Sequence, residues 1–301
     1  MNNILKEKII DVIFINIMSF LPIKNVYSNR FMCKKWYYIL ISKLTKKIIP
    51  YYVPTKIALI RKDFFGIFMA NMTNIKNQIT FSEYNNYDYI IYDHNKKKIC
   101  NRNLPYFSSN SKFILGYDYR NVKILDLDFQ ELHEWKFTNS KDLTIDENHV
   151  YIIENTTCYV YDFKGKKINS WNILESDNIY FPKMRANKNK IYVSINDNSD
   201  NWIKIFSNEG KFIRNIHISK NIYNKFYAFP FDISRDIIYV LDYVNNCIKF
   251  FTCDGDLILK FATSNIWNRE ECEDISKFLV IGDNLYIYNQ LHLFTFKLFF
   301  Q

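Results

Sequence analysis

The sequence predicts a mainly-β fold, a β-propeller of about six blades, preceded by a small module of three helices. Three observations predict it. A short strand with tyrosine between aliphatic residues recurs at Tyr151, Tyr192, Tyr239 and Tyr286, spaced by 41, 47 and 47 residues. A period in the forties with three or four strands per unit is the signature of a propeller. Each copy runs through a polar turn into a second strand that alternates in polarity, such as Ile203 and Ile205 around Lys204, the period-two pattern of half-buried strands. Helical spacing, by contrast, is confined to the first fifty residues.

That N-terminal module spans residues 1–48. Ile10, Ile13, Phe14, Ile17, Met18 and Leu21 recur three and four apart, the stripe of an amphipathic helix. Pro22 ends it, because proline disfavours helical geometry in the residue before it. Asn25 then suits the N-cap of a second helix near Val26. A third carries Trp36, Tyr37, Leu40, Ile41 and Leu44 and stops before Pro50. Three such helices bury too little alone, so the module leans on the following domain or on a partner. Residues 4–23 read poorly as a signal peptide or membrane span, since Asp11, Asn16 and Ser19 interrupt the run and a small-residue cleavage site is missing.

The corner Phe20-Leu21-Pro22-Ile23-Lys24-Asn25-Val26, followed by Arg30-Phe31-Met32-Cys33-Lys34-Lys35-Trp36, resembles an F-box. The family's opening Leu-Pro is Ile9-Ile10 here, and its frequent glutamate two positions later is Val12. The resemblance implies docking onto a Skp1-type adaptor of a cullin ubiquitin ligase through Ile9, Ile10, Ile13, Phe14, Ile17, Leu21 and Pro22. Cys33 and Trp36 would fill the module's core. Physically this is a helix laid in a groove, a few apolar anchors carrying the energy. Residues 1–50 hold nine Lys/Arg against two Asp/Glu, a charge of +7 that would favour an acidic adaptor.

The propeller occupies residues 49–301. Residues 56–104 hold a degenerate unit with "IALI", "QITF" and "DYIIYD", and a clearer one follows in "KFILGYD", "NVKILDL" and "LHEWKF". The middle units add a glycine-type turn and another strand, in "FKGKKINSW", "NEGKFIRNIHI" and "CDGDLILKF". The last unit ends soon after its third strand, so a strand around residues 56–60 is expected to close the ring. Residues 229–261 resemble an NHL-type blade, with Phe-Pro, an Asp-aliphatic strand, Tyr-Val-x-Asp, Asn-Asn and Asp-Gly. Trp-Asp closures and Gly-Gly pairs are missing, which makes WD40 and kelch poorer matches.

Outside residues 1–50 the balance is 31 Lys/Arg to 29 Asp/Glu, too neutral for a nucleic-acid platform. Six scattered cysteines without a C-x-x-C pair suit reduced thiols in an intracellular, cytoplasmic protein. The five histidines show no metal spacing, His217 suits an ordinary strand position, and no P-loop, G-x-S-x-G or dinucleotide turn occurs. Asp232 and Asp242 suit turn caps better than catalysis, and "EECED" at 270–274 suits a solvated loop. The expectation is therefore a non-catalytic protein without metal or cofactor. It is a substrate-recognition adaptor whose propeller binds an unknown target protein, with no nucleic-acid or membrane partner. A heavy use of Ile, Asn, Lys and Tyr makes it similar to F-box proteins of giant amoebal viruses, which would place it in the host cytoplasm. A propeller scaffold with a decayed F-box, or less readily a propeller enzyme, stays open.

Overall fold

The computed structural model describes residues 54–300 except 65–68, 77, 86–87, 94–97, 102–103, 174–181, 197–199, 221–228, 243, 264–274 and 290–291. The three helices expected in residues 1–48, the boundary at residue 49 and the 270–274 run lie outside the described residues. What is described is all β, in six four-stranded antiparallel sheets.

Strand β1 (Pro54–Phe64) does not begin the first sheet; it belongs to the last. The first sheet is β2 (Met69–Ile75), β3 (Gln78–Asn85), β4 (Asp88–Asp93) and β5 (Lys98–Asn101). The second is β6 (Tyr106–Ser109), β7 (Phe113–Tyr117), β8 (Asn121–Asp126) and β9 (Glu131–Lys136). The third is β10 (Asp142–Ile145), β11 (Val150–Glu154), β12 (Thr157–Tyr161) and β13 (Lys167–Asn172). The fourth is β14 (Lys183–Asn187), β15 (Lys190–Asn196), β16 (Asp200–Ser207) and β17 (Phe212–Lys220). The fifth is β18 (Phe231–Ser234), β19 (Ile237–Asp242), β20 (Cys247–Thr252) and β21 (Leu257–Ala262). The sixth is β22 (Ile275–Ile281), β23 (Asn284–Asn289) and β24 (His292–Phe300), completed by β1.

The first strand of each sheet contacts the first strand of the next, β2 to β6, β10, β14, β18, β22 and back to β2. The sheets therefore stand in a closed ring around these six strands. Register confirms the expected closure: β1 pairs antiparallel with β24 from Pro54 opposite Phe300 to Phe64 opposite His292. The "IALI" segment thus serves the last sheet rather than the first.

The core is distributed between sheets. Each apolar cluster joins two neighbours, as where Tyr151, Ile153, Cys158 and Val160 of the third sheet meet Met184, Ile191, Val193 and Phe206 of the fourth. A sheet packed on both faces buries both sets of alternating side chains, so β19 and β20 are buried throughout. This corrects one reading of the sequence. The alternation read around Lys204 would also set Lys249, between Ile248 and Phe250, opposite the apolar face, yet Lys249 is only 5% exposed. Its ammonium meets Asp242 Oδ2 at 2.5 Å and donates to the Ile218 carbonyl of the preceding sheet. Lys204, at the equivalent place in the fourth sheet, reaches the Ile173 carbonyl at 3.5 Å.

The turn between third and fourth strands repeats a tight geometry. Gly165, Gly210 and Gly255 all have positive φ, and each amide donates to the carbonyl three residues back. In the second sheet Phe129 holds that place at φ 65° and is buried. The turn receives a large side chain from the sheet before. A Cβ on Gly165 would lie 2.7 Å from Trp135, and one on Gly210 would lie 2.4 Å from Trp171. Just beyond each turn the outermost strand carries one extra residue against its partner, and the residue is always aliphatic: Ile99, Leu132, Ile168, Ile213 and Ile258. Such bulges twist an edge strand away from further pairing.

Candidate functional site

The six innermost strands enclose a channel cavity of about 200 Å³. Register defines one layer of it. The residues paired with the second-strand tyrosines are Thr144 (opposite Tyr151), Arg185 (Tyr192), Asp232 (Tyr239) and Leu279 (Tyr286). Hairpin geometry places Thr73 and Ser108 at the same level in the first two sheets. All six line the cavity. The layer is thus three hydroxyls, one leucine and one cation–anion pair, Arg185 Nε lying 3.3 Å from Asp232 Oδ1.

Asp232 ties three sheets together. Its Oδ1 accepts from Arg185 of the fourth sheet, and its Oδ2 accepts the Val280 amide of the sixth at 2.8 Å. Burial pushes its carboxyl above the ordinary range, while Arg185 and the Val280 and Ile233 amides pull against that rise. Asp142 makes a similar tie, its Oδ2 accepting the Met184 amide of the next sheet at 2.6 Å. The Arg185 guanidinium also donates to the Met184 carbonyl at 2.9 Å. The expected turn-capping role holds for Asp242, whose carboxylate accepts from the Asn245 amide at 3.2 Å and side chain at 2.7 Å. It does not hold for Asp232, which sits within the innermost strand β18 and spans sheets.

Beside Asp142 the channel mouth is rimmed by aromatics. Tyr106 lines the cavity and lies 6.4 Å from Tyr117 and 5.8 Å from Tyr119, ring centre to ring centre. Burial, then Tyr119, push the Tyr106 phenol up to about 12. Tyr119 is 52% exposed and holds a positive φ of 71°. Asp118 stabilises that turn, its Oδ1 accepting the amides of Arg120 at 3.1 Å and Asn121 at 2.7 Å. A bulky residue in the left-handed region is uncommon, and the Asp118 cap holds Tyr119 there. Pattern reading missed this cluster, although Tyr117-Asp118-Tyr119, a turn-forming aspartate between two tyrosines, was its visible signal.

The residues expected to dock an adaptor, Ile9, Ile10, Ile13, Phe14, Ile17, Leu21 and Pro22, and the expected module core, Cys33 and Trp36, lie outside the described residues. Cys158, Cys247 and Cys253 are buried free thiols whose burial pushes them upward. His217 is exposed on β17, 2.8 Å from Asp200 and packed edge-on against Trp202. Among the described residues no three His, Cys, Asp or Glu side chains are placed to hold a metal, and no helix is long and apolar enough to cross a membrane.

No protein-family model matches the chain. No curated protein matches it either. Among solved structures, virginiamycin B lyase from Staphylococcus aureus, in selenomethionine-substituted form, superposes with a TM-score of 0.54 at 8% identity, over 81% of this chain and all of that one. The WD40 β-propeller domain of Doa1 gives 0.53 at 10% identity, over 75% of this chain and 77% of that domain. The fold is a β-propeller. At such low identity these likenesses establish the propeller and nothing about its chemistry.

Proposed function

We propose that this propeller, each four-stranded sheet counted as one of six blades, is a non-catalytic adaptor that binds a target protein and holds it near a ubiquitin ligase. The observation that carries the binding half is the exposed Tyr119 on its Asx-stabilised turn, backed by Tyr106 and Tyr117 at the channel mouth. Aromatic side chains on a rigid platform are the residues that anchor protein interfaces. The ligase half rests on the F-box resemblance of residues 9–45, with Leu21 and Pro22 among the anchors on a Skp1-type adaptor. Such a protein acts by raising the effective concentration of its target beside the ligase.

An enzyme reading gains little from the channel. Asp232 is a carboxylate in the channel whose titration burial raises, yet Arg185 and the Val280 amide engage both of its oxygens. A general base needs one oxygen directed at a substrate.

The binding half is tested by comparing proteins retained by the full chain with those retained by Tyr119→Ala/Arg120→Ala. Lys164→Ala/Lys166→Ala, on exposed positions at the opposite end of the ring, serves as control. Loss of a retained protein in the first variant alone supports the reading. Equal retention by both variants refutes this face as the target site.

A further inference from the structure

The channel cavity is lined by a cation that the sheet-to-sheet ties leave without a partner. Four charged side chains line it: Asp142, Lys183, Arg185 and Asp232. Three are engaged by neighbouring sheets or strands. Asp142 accepts the Met184 amide, while Asp232 and Arg185 pair with each other and with backbone groups. Lys183 precedes Arg185 by two on β14, and among the described residues its ammonium has neither an ion pair nor a hydrogen bond. Only its backbone is engaged, the amide donating to Ser194 Oγ at 3.2 Å and the carbonyl accepting from it at 3.4 Å. A half-buried lysine beside a cavity favours an acceptor for its ammonium.

The surroundings narrow the kind of acceptor. Thr144 and Ser108 supply hydroxyls on adjacent innermost strands, and hydroxyls donate well to oxygen acceptors. A phosphate with nearly two charges would require a second uncommitted cation. Arg185 is held by Asp232, and Asp142 at the same mouth opposes further negative charge. The cavity, about 200 Å³, falls below the ~300–1,000 Å³ of sites for drug-sized ligands, so the guest has few atoms.

We propose that the channel is a binding site for a small monocarboxylate, its carboxylate meeting the Lys183 ammonium and accepting from Thr144 and Ser108. This site is independent of the adaptor reading, since it uses neither Tyr119 nor the N-terminal module. Its occupancy would stiffen the ring from within by linking the second, third and fourth sheets.

The test is thermal unfolding of the full chain in acetate from zero to 100 mM at constant ionic strength, with inorganic phosphate as a parallel series. The wild type should show a saturating rise in midpoint with acetate. Lys183→Met should lose that rise, while Lys211→Met, an exposed lysine on the rim, should keep it. Thr144→Val, a variant that leaves the charge in place, should weaken the apparent affinity several-fold. If Lys183→Met does not fold, Thr144→Val decides alone. A flat acetate series in the wild type, or an equal rise in Lys183→Met or Thr144→Val, overturns the site. An equal or larger response to phosphate overturns the monocarboxylate assignment.

Discussion

Replacing Gly210 by alanine probes the contact that repeats from sheet to sheet. The residue has φ of 89°, and an added Cβ would lie 2.4 Å from Trp171 Cδ2 and 2.6 Å from Cε3. These atoms belong to a rigid indole packed against the fourth-sheet core beside Phe206, at a ring separation of 6.5 Å. Left-handed geometry costs a residue with a Cβ about 1–2 kcal/mol. Displacing the indole adds about 1–3 kcal/mol of overpacking. Reduced freedom of the unfolded chain returns about 0.4–1 kcal/mol. The balance is a loss of about 3 kcal/mol, a fall of roughly 6–12 °C in midpoint for a domain of this size. Urea unfolding of the full chain, followed by tryptophan fluorescence, measures it. In a Trp171→Ala background the overpacking disappears, so the penalty of Gly210→Ala should fall to about 1 kcal/mol, the backbone share alone. An equal penalty in both backgrounds refutes the contact as the cause.

Lys249→Met strands the buried Asp242 carboxylate and should destabilise by about 3–5 kcal/mol in the same urea assay, with much of it recovered in Lys249→Met/Asp242→Asn. Asp232 is held above its ordinary value by burial, so the folded state binds its proton more tightly than the unfolded chain does. Its contribution is therefore present at pH below about 4, the unfolded value, and is lost as pH rises through the higher folded one. Wild type should lose stability relative to Asp232→Asn between pH 4 and 7; a loss in the opposite direction contradicts the sign. Cys158, Cys247 and Cys253 should resist maleimide in the native state and react in urea, read by mass spectrometry of the modified peptides. Deleting residues 54–64 should cost on the order of 5 kcal/mol, because ladder bonds of about 1 kcal/mol each are lost along β1 and the ring opens. Deletion of residues 1–53 alone is the control that leaves β1 in place.

The second and third strands of each sheet were legible because they are long, aliphatic and repeated around tyrosines 151, 192 and 239, all now seen fully buried. The innermost strands were harder. Tyr106–Ser109 and Asp142–Ile145 span four residues each and mix hydroxyls and charges, because one side of them borders a polar channel. A short polar strand looks like a loop to periodicity. Lys249 shows the other failure: alternation places a lysine on the solvent side, whereas a sheet packed on both faces encloses it and demands Asp242. The Arg185–Asp232 pair was not readable at all, since 47 residues separate partners that meet only once the sheets form a ring. The glycine turns were visible as a repeat, but their function as sockets for Trp135 and Trp171 depends on the neighbouring sheet.

The most direct measurement of the central claim is co-purification of the full chain with a Skp1-type adaptor, beside a Leu21→Ala/Pro22→Ala variant whose propeller is shown folded by circular dichroism. The account predicts a stoichiometric complex with the wild type that the variant loses. Failure of the wild-type chain to capture the adaptor, or equal capture by the variant, contradicts it.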